Sequence, residues 1–523
     1  MQKNLVRLVL AGAVALVGCG GGGGDSPAVD AGADVYVPPA ISKPFPADFL
    51  WGTATAAYQV EKGLDGTDWH QWEQKGKVID GDKSGAPDRA NDGPEMERFY
   101  EADLERAKSL GNNTYRFEMA MARLFPTRAA LTSATPDPAA LTYYRALLAA
   151  CKARGIVPMV TLHHFVWPTW IHDVDDVATK GGWASESTIT DFTNFATWSA
   201  KTFGADVDLW VTINEPMVYV INGYLGGQFP PGNFLQVEKA LTVAYNMIEG
   251  HARAYDAIHA NDTMDADGDG KPALVSIANH NRVMQPKNPA DAMDRRAAEL
   301  LQKLSNRVFF DAATGGNIDK NFDGDYDDPG DKKADPRLMN RMDYLGVNYY
   351  GLAVVQYIGN ENSFPVIGIP RFELLETPWD KTEFNWDIYP QGLREVLDEM
   401  KGYQLPIYIT ENGIADRDEE QRSRFLVEHL YELQRAMADG IDVRGYYPWS
   451  LVDNFEWSAG YCPRFGLYAV DFSKPDKPRS EGAAARLYKR IIAERTVSPD
   501  LFRTLPPYPL QLYEESCPVL SPL

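Results

Sequence analysis

Val211-Thr212-Ile213-Asn214-Glu215-Pro216 is an apolar, β-branched run that ends in two polar residues and a proline. Val, Thr and Ile favour extended, buried backbone and proline withdraws a donor from any ladder, so the pattern predicts a strand that stops just after Glu215. A carboxylate then stands at the strand's exit. Alone, it reads as half of a structural ion pair; chemistry requires a second carboxylate.

Working outward, eight short β-type runs alternate with longer helical or loop segments: 49–58, 113–119, 157–164, 209–215, 273–280, 344–350, 406–412 and 443–451. Between them, "PAALTYYRALLAACKARG" and "QRSRFLVEHLYELQRAMADG" carry apolar residues at helical spacing, and each ends in a glycine suited to a C-terminal cap. Eight strands alternating with helices predict a single (β/α)₈ barrel of the α/β class over 44–495, with its active site at the C-terminal strand ends. Nearly every run closes on polar or aromatic groups: Gln59, Arg116, His164, Glu215, Asn348, Tyr350, Glu411 and Trp449. In "YITENG", Glu411 beside Asn412 and Gly413 repeats the grammar of "VTINEP" on the seventh run. Two carboxylates facing each other across one rim are the machinery for cutting a glycosidic bond.

Composition agrees. A net charge of -22 repels phosphate backbones and argues against nucleic acid as a partner. The 12 Trp and 26 Tyr offer amphipathic rings suited to sugars, which have apolar faces and polar edges.

The N-terminus is an address. Lys3 and Arg7 precede an apolar run from Leu8 to Val17, too short to span a bilayer but of signal-peptide length, and Leu16-Val17-Gly18-Cys19 resembles a bacterial lipobox. Residues 1–18 then form a lipoprotein-type signal, Cys19 carries the lipid, and the Gly- and Pro-rich 19–43 is a tether. Export is expected, with membrane contact only through that anchor; an ordinary cleaved signal would give a periplasmic or secreted protein. Residues 496–523 form a short proline-rich tail. Cys151, on a helical run, is expected to be a buried thiol, whereas Cys462 and Cys517 are candidates for a disulfide holding the tail.

The chain resembles glycoside hydrolase family 1, the β-glucosidase family. "FLWGTATAAYQVEKG" is similar to its N-terminal signature, "TINEP" to its acid/base motif and "ITENG" to its nucleophile motif, with further matches at "TLHHF", "LGVNYY", "DIYPQGL" and "WSLVDNFEWSAGYCPRFGLYAVDF". The resemblance covers about 44–495 and implies a retaining exo-β-glycosidase, most simply a β-glucosidase, that needs no cofactor for catalysis. It makes Glu215 the general acid/base and Glu411 the nucleophile. Gln59, His164, Asn214, Glu456 and Trp457 would hold sugar hydroxyls above Trp449, with Arg116, Tyr350 and Asn348 around the carboxylates.

Two departures stand out. Phe165 replaces the tryptophan that commonly follows the third strand's histidine, removing a donor. Glu118-Met119-Ala120-Met121 replaces "SISW", which is expected to bring an extra carboxylate to the pocket wall. Asp265, Asp267 and Asp269, and again Asp319, Asn321 and Asp323, have the D-x-[DN]-x-D-G spacing of calcium loops but no Glu at the twelfth position, so each is a candidate structural calcium site or a solvated acidic loop. Rival functions are weaker. Inactive sugar-binding relatives generally lose one glutamate, plant-type thioglucosidases replace the acid/base with glutamine, and 6-phospho-glycosidases carry a Ser, Lys and Tyr clamp where this chain has Glu456-Trp457. β-Galactoside or β-fucoside preference stays open.

Overall fold

The computed structural model describes residues 37–81, 85–268, 270–321, 323, 325–359, 372–375, 377, 379–506 and 517. Eight parallel strands form the barrel: β1 (Leu50–Trp51), β2 (Thr114–Glu118), β3 (Val157–Thr161), β4 (Leu209–Asn214), β5 (Leu274–Pro286), β6 (Leu345–Tyr357), β7 (Ile407–Asn412) and β8 (Val443–Pro448). From β2 to β8 each strand pairs with the next in sequence, and β8 pairs with β1. Just past β1, Ala54 makes an isolated parallel bridge to Arg116 of β2, which closes the ring. The strands read as near-continuous apolar runs because both faces are covered: every residue of β2, β4 and β7 is buried.

The helices follow their sequence signals. Asp137 accepts from the N–H groups of Ala139 and Ala140, Pro138 opens the helix Pro138–Ala153, and Tyr144, Leu147, Leu148 and Cys151 form its buried face. It stops at Gly155, whose φ of 62° is costly for any other residue. Cys151 is a buried free thiol.

Three predicted boundaries are corrected. The first run holds only two strand residues before turning into the helix Ala57–Val60, so Gln59 lies on a helical turn. The reason is a donor satisfied from outside, since Glu118 Oε2 accepts the Ala57 N–H at 2.9 Å. β5 and β6 run on to Pro286 and Tyr357, and an unpredicted strand, Phe372–Leu375, adds antiparallel to the outer half of β6.

Cys462 and Cys517 are joined in a disulfide, with Cα atoms 5.6 Å apart. The Cys517 N–H also donates to Glu383 O at 3.2 Å, tying the tail to the loop before β7 as well as to the loop after β8.

The acidic inserts are only partly as expected. Asp265 and Asp267 gather with Asp208, which immediately precedes β4, at the barrel end away from the strand exits. Asp208 is buried and accepts from the N–H groups of Ala266 and Asp267; burial pushes its carboxyl up to about 7. Asp269 lies outside the described residues. In the second insert the cluster is Asp323, Asp325 and Asp328. Asp319 is drawn away by Lys303 Nζ at 2.9 Å, and Asn321 turns its amide onto Asp323 and Asp328 as a donor.

Candidate active site

The C-terminal ends of the strands enclose one pocket lined by Glu215, Glu411, His164, Tyr350, Trp449, Glu456 and Trp457, all expected from sequence. Its position follows from strand endings. At Glu215 the chain leaves β4 with φ 41° and ψ 59°, a left-handed conformation rare outside glycine, and Pro216 starts the next helix. Phe165 and Trp457 on the same wall are also left-handed, at φ 72° and 51°. Strain of this kind persists where surrounding structure holds it, and here it surrounds a cleft.

The two carboxylates have unequal surroundings. Glu411 Oε1 accepts from Arg116 Nη1 at 2.8 Å and Oε2 from the Tyr350 hydroxyl at 2.8 Å. Glu215 Oε1 receives one carboxamide bond, from Asn348 Nδ2 at 3.0 Å. Burial, and then the negative charge of Glu411, push Glu215 up to about 8. Burial raises Glu411 too, but Arg116 and Tyr350 pull it back. Glu411 is therefore the member that ionises first, and Glu215 the one that holds a proton.

A chain of hydrogen bonds fixes the orientation of the polar groups behind this pair. Asn214 Oδ1 accepts from Arg116 Nη2 at 2.7 Å and from Asn348 Nδ2 at 3.1 Å, so its Nδ2 must donate to His164 Nε2, 3.1 Å away. Burial lowers the His164 pKa well below its ordinary value. The ring is neutral with its hydrogen on Nδ1, a buried donor that has no partner among the described residues. Gln59 Nε2 donates to Phe455 O at 2.8 Å and lies 3.3 Å from Glu456 Oε2, leaving Gln59 Oε1 without a partner among the described residues. Burial and the charge of Glu411 push Glu456 up to about 8. Gln59, Arg116, Asn214 and Asn348 are buried immediately behind the lining rather than in it.

Glu118 corrects an expectation. Its carboxylate is absent from the lining, because its oxygens accept the backbone N–H groups of Ala57 at 2.9 Å and His164 at 3.2 Å. It braces the segment bearing Gln59 against the one bearing His164. Phe165 does line the pocket and packs its ring 5.2 Å from Trp457, so the wall lacks an indole donor there.

Sequence reasoning missed the outer wall: Val218, Asn222, Gln228, His280, Phe384 and Trp386. Val218 and Asn222 follow Glu215 by three and seven residues, a helical spacing that was legible. His280 sits in β5 at the end of the 273–280 run, and Gln228, Phe384 and Trp386 lie on loops without periodicity.

A parallel eight-stranded barrel with paired, unequal carboxylates at its strand exits defines a glycoside-cleaving enzyme. The chain belongs to glycosyl hydrolase family 1, whose sequence profile it matches over residues 41–497. It is 33% identical to a β-galactosidase of Pyrococcus woesei, over 87% of this chain and 98% of that one. It is 31% identical to a cytosolic β-glucosidase of Cavia porcellus, over 86% and 98% respectively. A β-glycosidase from Pyrococcus horikoshii has a similar structure, with a TM-score of 0.75 at 32% identity, covering 90% of this chain and 99% of that one. This chain is an O-glycosyl hydrolase of β-glycosides.

Proposed function

We propose that the enzyme is a retaining, exo-acting β-glycosidase that releases terminal β-D-glucosyl residues, with Glu411 as nucleophile and Glu215 as general acid and base. The observation that carries this reading is the asymmetry of the pair, Glu411 held by Arg116 and Tyr350 while Glu215 is left to burial and one amide. Glu411 attacks the anomeric carbon as Glu215 protonates the leaving oxygen; Glu215 then takes a proton from water, which displaces Glu411. Two carboxylates and water complete the reaction, so no cofactor is required. Glu456 would hydrogen-bond two hydroxyls of the terminal ring, and it offers a 6-phosphate no cation to pair with.

The test uses a dinitrophenyl β-glucoside. Glu215→Ala should keep a pre-steady-state burst, because that leaving group departs unaided and only the attack by water is slowed; Glu411→Ala should give none. Proton NMR of the wild-type reaction should show the β-anomer first. An α-anomer first, or the opposite pattern of bursts, overturns the assignment. A β-galactoside preference is the second reading, favoured by the name of the Pyrococcus woesei relative. Paired aryl glucosides and galactosides separate the two.

Two accessory features belong to the same proposal. Cys19 is a lipidation site on an exported chain, supported by its lipobox-like context; residues 1–36 lie outside the described residues. Among the described residues no helix is long and apolar enough to cross a membrane. Cys19→Ser should shift the enzyme from the membrane to the soluble fraction, and equal partitioning excludes the anchor. Structural calcium is proposed at Asp208, Asp265 and Asp267 and at Asp323, Asp325 and Asp328, supported by carboxylate oxygens that lie within 4.8 Å of one another in each group.

A further inference from the structure

β2 ends between the segment that follows β1 and the strand β3: Ala54 bridges Arg116 on one side, and Glu118 pairs with Thr161 on the other. A side chain at this strand end can reach both neighbours. Glu118 does so with its two oxygens, which accept the N–H groups of Ala57 at 2.9 Å and His164 at 3.2 Å. It is 4% exposed, so both bonds are shielded from water.

The same stretch of chain grips the Gln59 turn a second time. Gln59 lies two residues after Ala57 and two before Glu61, and the Glu61 carboxylate accepts from Arg123 Nε at 2.7 Å and from the Tyr144 hydroxyl at 3.2 Å. That hydroxyl in turn accepts the Ala120 N–H at 2.9 Å. Residues 118–123 thus hold the turn on both sides of Gln59 and, through Glu118, also hold His164. The outer ends of both side chains are fixed as well, Gln59 Nε2 by Phe455 O and His164 Nε2 by Asn214. What is left is an acceptor, Gln59 Oε1, and a donor, His164 Nδ1–H, both buried and without partners among the described residues. Such atoms are costly until a ligand pairs with them, and a sugar hydroxyl both donates and accepts. Phe165, beside His164, brings no donor of its own, which leaves more of the recognition to Gln59 and His164.

We propose that Glu118 is a positioning residue for the terminal sugar: it sets the spacing between Gln59 and His164, and so determines how strictly the enzyme demands the hydroxyl that these two hold. The inference rests on the β-glycosidase reading, in which both residues bind that sugar. Hydrogen bonds weaken steeply with misalignment, and a displacement of about 1 Å at a binding group can cost orders of magnitude in rate. A serine at this place, as in the "SISW" pattern, is two bonds shorter and brings one oxygen, so the double brace is particular to a chain with glutamate here.

The experiment measures kcat/KM for the p-nitrophenyl β-glycoside of the preferred sugar and for each of its monodeoxy analogues. The loss at each analogue reads what one hydroxyl contributes, and Gln59→Ala marks the hydroxyl held by Gln59 as the one whose penalty shrinks. Glu118→Gln keeps one acceptor and turns an N–H group towards the other backbone donor. In that variant the penalty at the marked hydroxyl should shrink about tenfold, the effect of one net hydrogen bond, while the penalties at the other hydroxyls stay as in the wild type. Glu118→Asp, with both oxygens on a shorter arm, should give an intermediate penalty, and it carries the measurement if Glu118→Gln fails to fold. A uniform fall that leaves every penalty unchanged, as a merely loosened fold would give, overturns the positioning role, and so does a wild-type profile. A wild type inert towards every parent glycoside overturns the β-glycosidase reading instead.

Discussion

Arg116 joins the ends of two distant strands: its Nη1 lies 2.8 Å from Glu411 Oε1, while its Nη2 lies 2.7 Å from Asn214 Oδ1. One buried guanidinium thus holds the carboxylate of β7 and, through Asn214, sets the tautomer of His164. The electrostatics of the pocket follow from that link.

Tyr350→Phe removes the second donor to Glu411, at 2.8 Å. As the proposed nucleophile Glu411 must be ionised, and losing a donor raises its pKa, so activity should fail at a higher pH as the medium is acidified. The acidic limb of kcat/KM should move up by about one unit, equivalent to about 1.4 kcal/mol. A pH–rate profile measures it, and an unmoved limb contradicts the role of the hydroxyl.

In the proposed mechanism the basic limb belongs to Glu215, which burial and the charge of Glu411 push up to about 8 and which must hold its proton. Activity should fall as pH rises through that value. The charge of Glu456 also raises Glu215, so Glu456→Gln should shift the basic limb to lower pH, whatever it does to KM. An identical limb in the variant would show that the two carboxylates do not communicate.

Glu118→Ala should destabilise the fold by about 2–6 kcal/mol, because two buried N–H groups lose their acceptor at about 1–3 kcal/mol each. Burial pushes Glu118 from its ordinary 4.5 up to about 8, so the folded protein keeps a proton that the unfolded chain loses in between. That contribution is complete below about 4.5 and lost as pH rises through about 8. The melting temperature of Glu118→Gln should therefore vary less with pH across this window than that of the wild type. Equal slopes would rule the carboxyl out as the source.

Cys517→Ser opens a disulfide that spans 55 positions, a loop worth about 4 kcal/mol by chain entropy. The tail also holds Glu383, next to the pocket residue Phe384. The variant should melt lower and show a raised KM. Unchanged KM after thiol reduction, with a lowered melting temperature, would confine the tail to stability.

Calcium at millimolar concentration should raise the melting temperature over that in chelator, as any ligand of the folded state does. Asp208→Asn should abolish most of the rise, since Asp208 is the buried member of its cluster. Identical curves in chelator and calcium leave the loops merely acidic.

Glu215 and Glu411 were legible in the sequence because their signals are local: a β-branched run that alternates nowhere, then proline or glycine, predicts a buried strand and its end. Helices such as Pro138–Ala153 carried their caps within a few residues. The outer half of β6 was not legible, since its partner Phe372–Leu375 is polar-edged and pairs with it only once the barrel exists. Glu118 was visible as a departure, yet its acceptors face backbone donors 61 and 46 positions away, and no spacing predicts that. Asp319 had the right register for a calcium loop, but Lys303 on a neighbouring helix claimed it, while Asp208 arrived from the foot of β4. The chain by itself determined where backbone turns and which strand ends carry carboxylates, because those choices depend on neighbouring residues. Which donor meets which acceptor, and therefore which carboxyl keeps its proton, was decided by closure of the barrel, because hydrogen bonds and burial act through space.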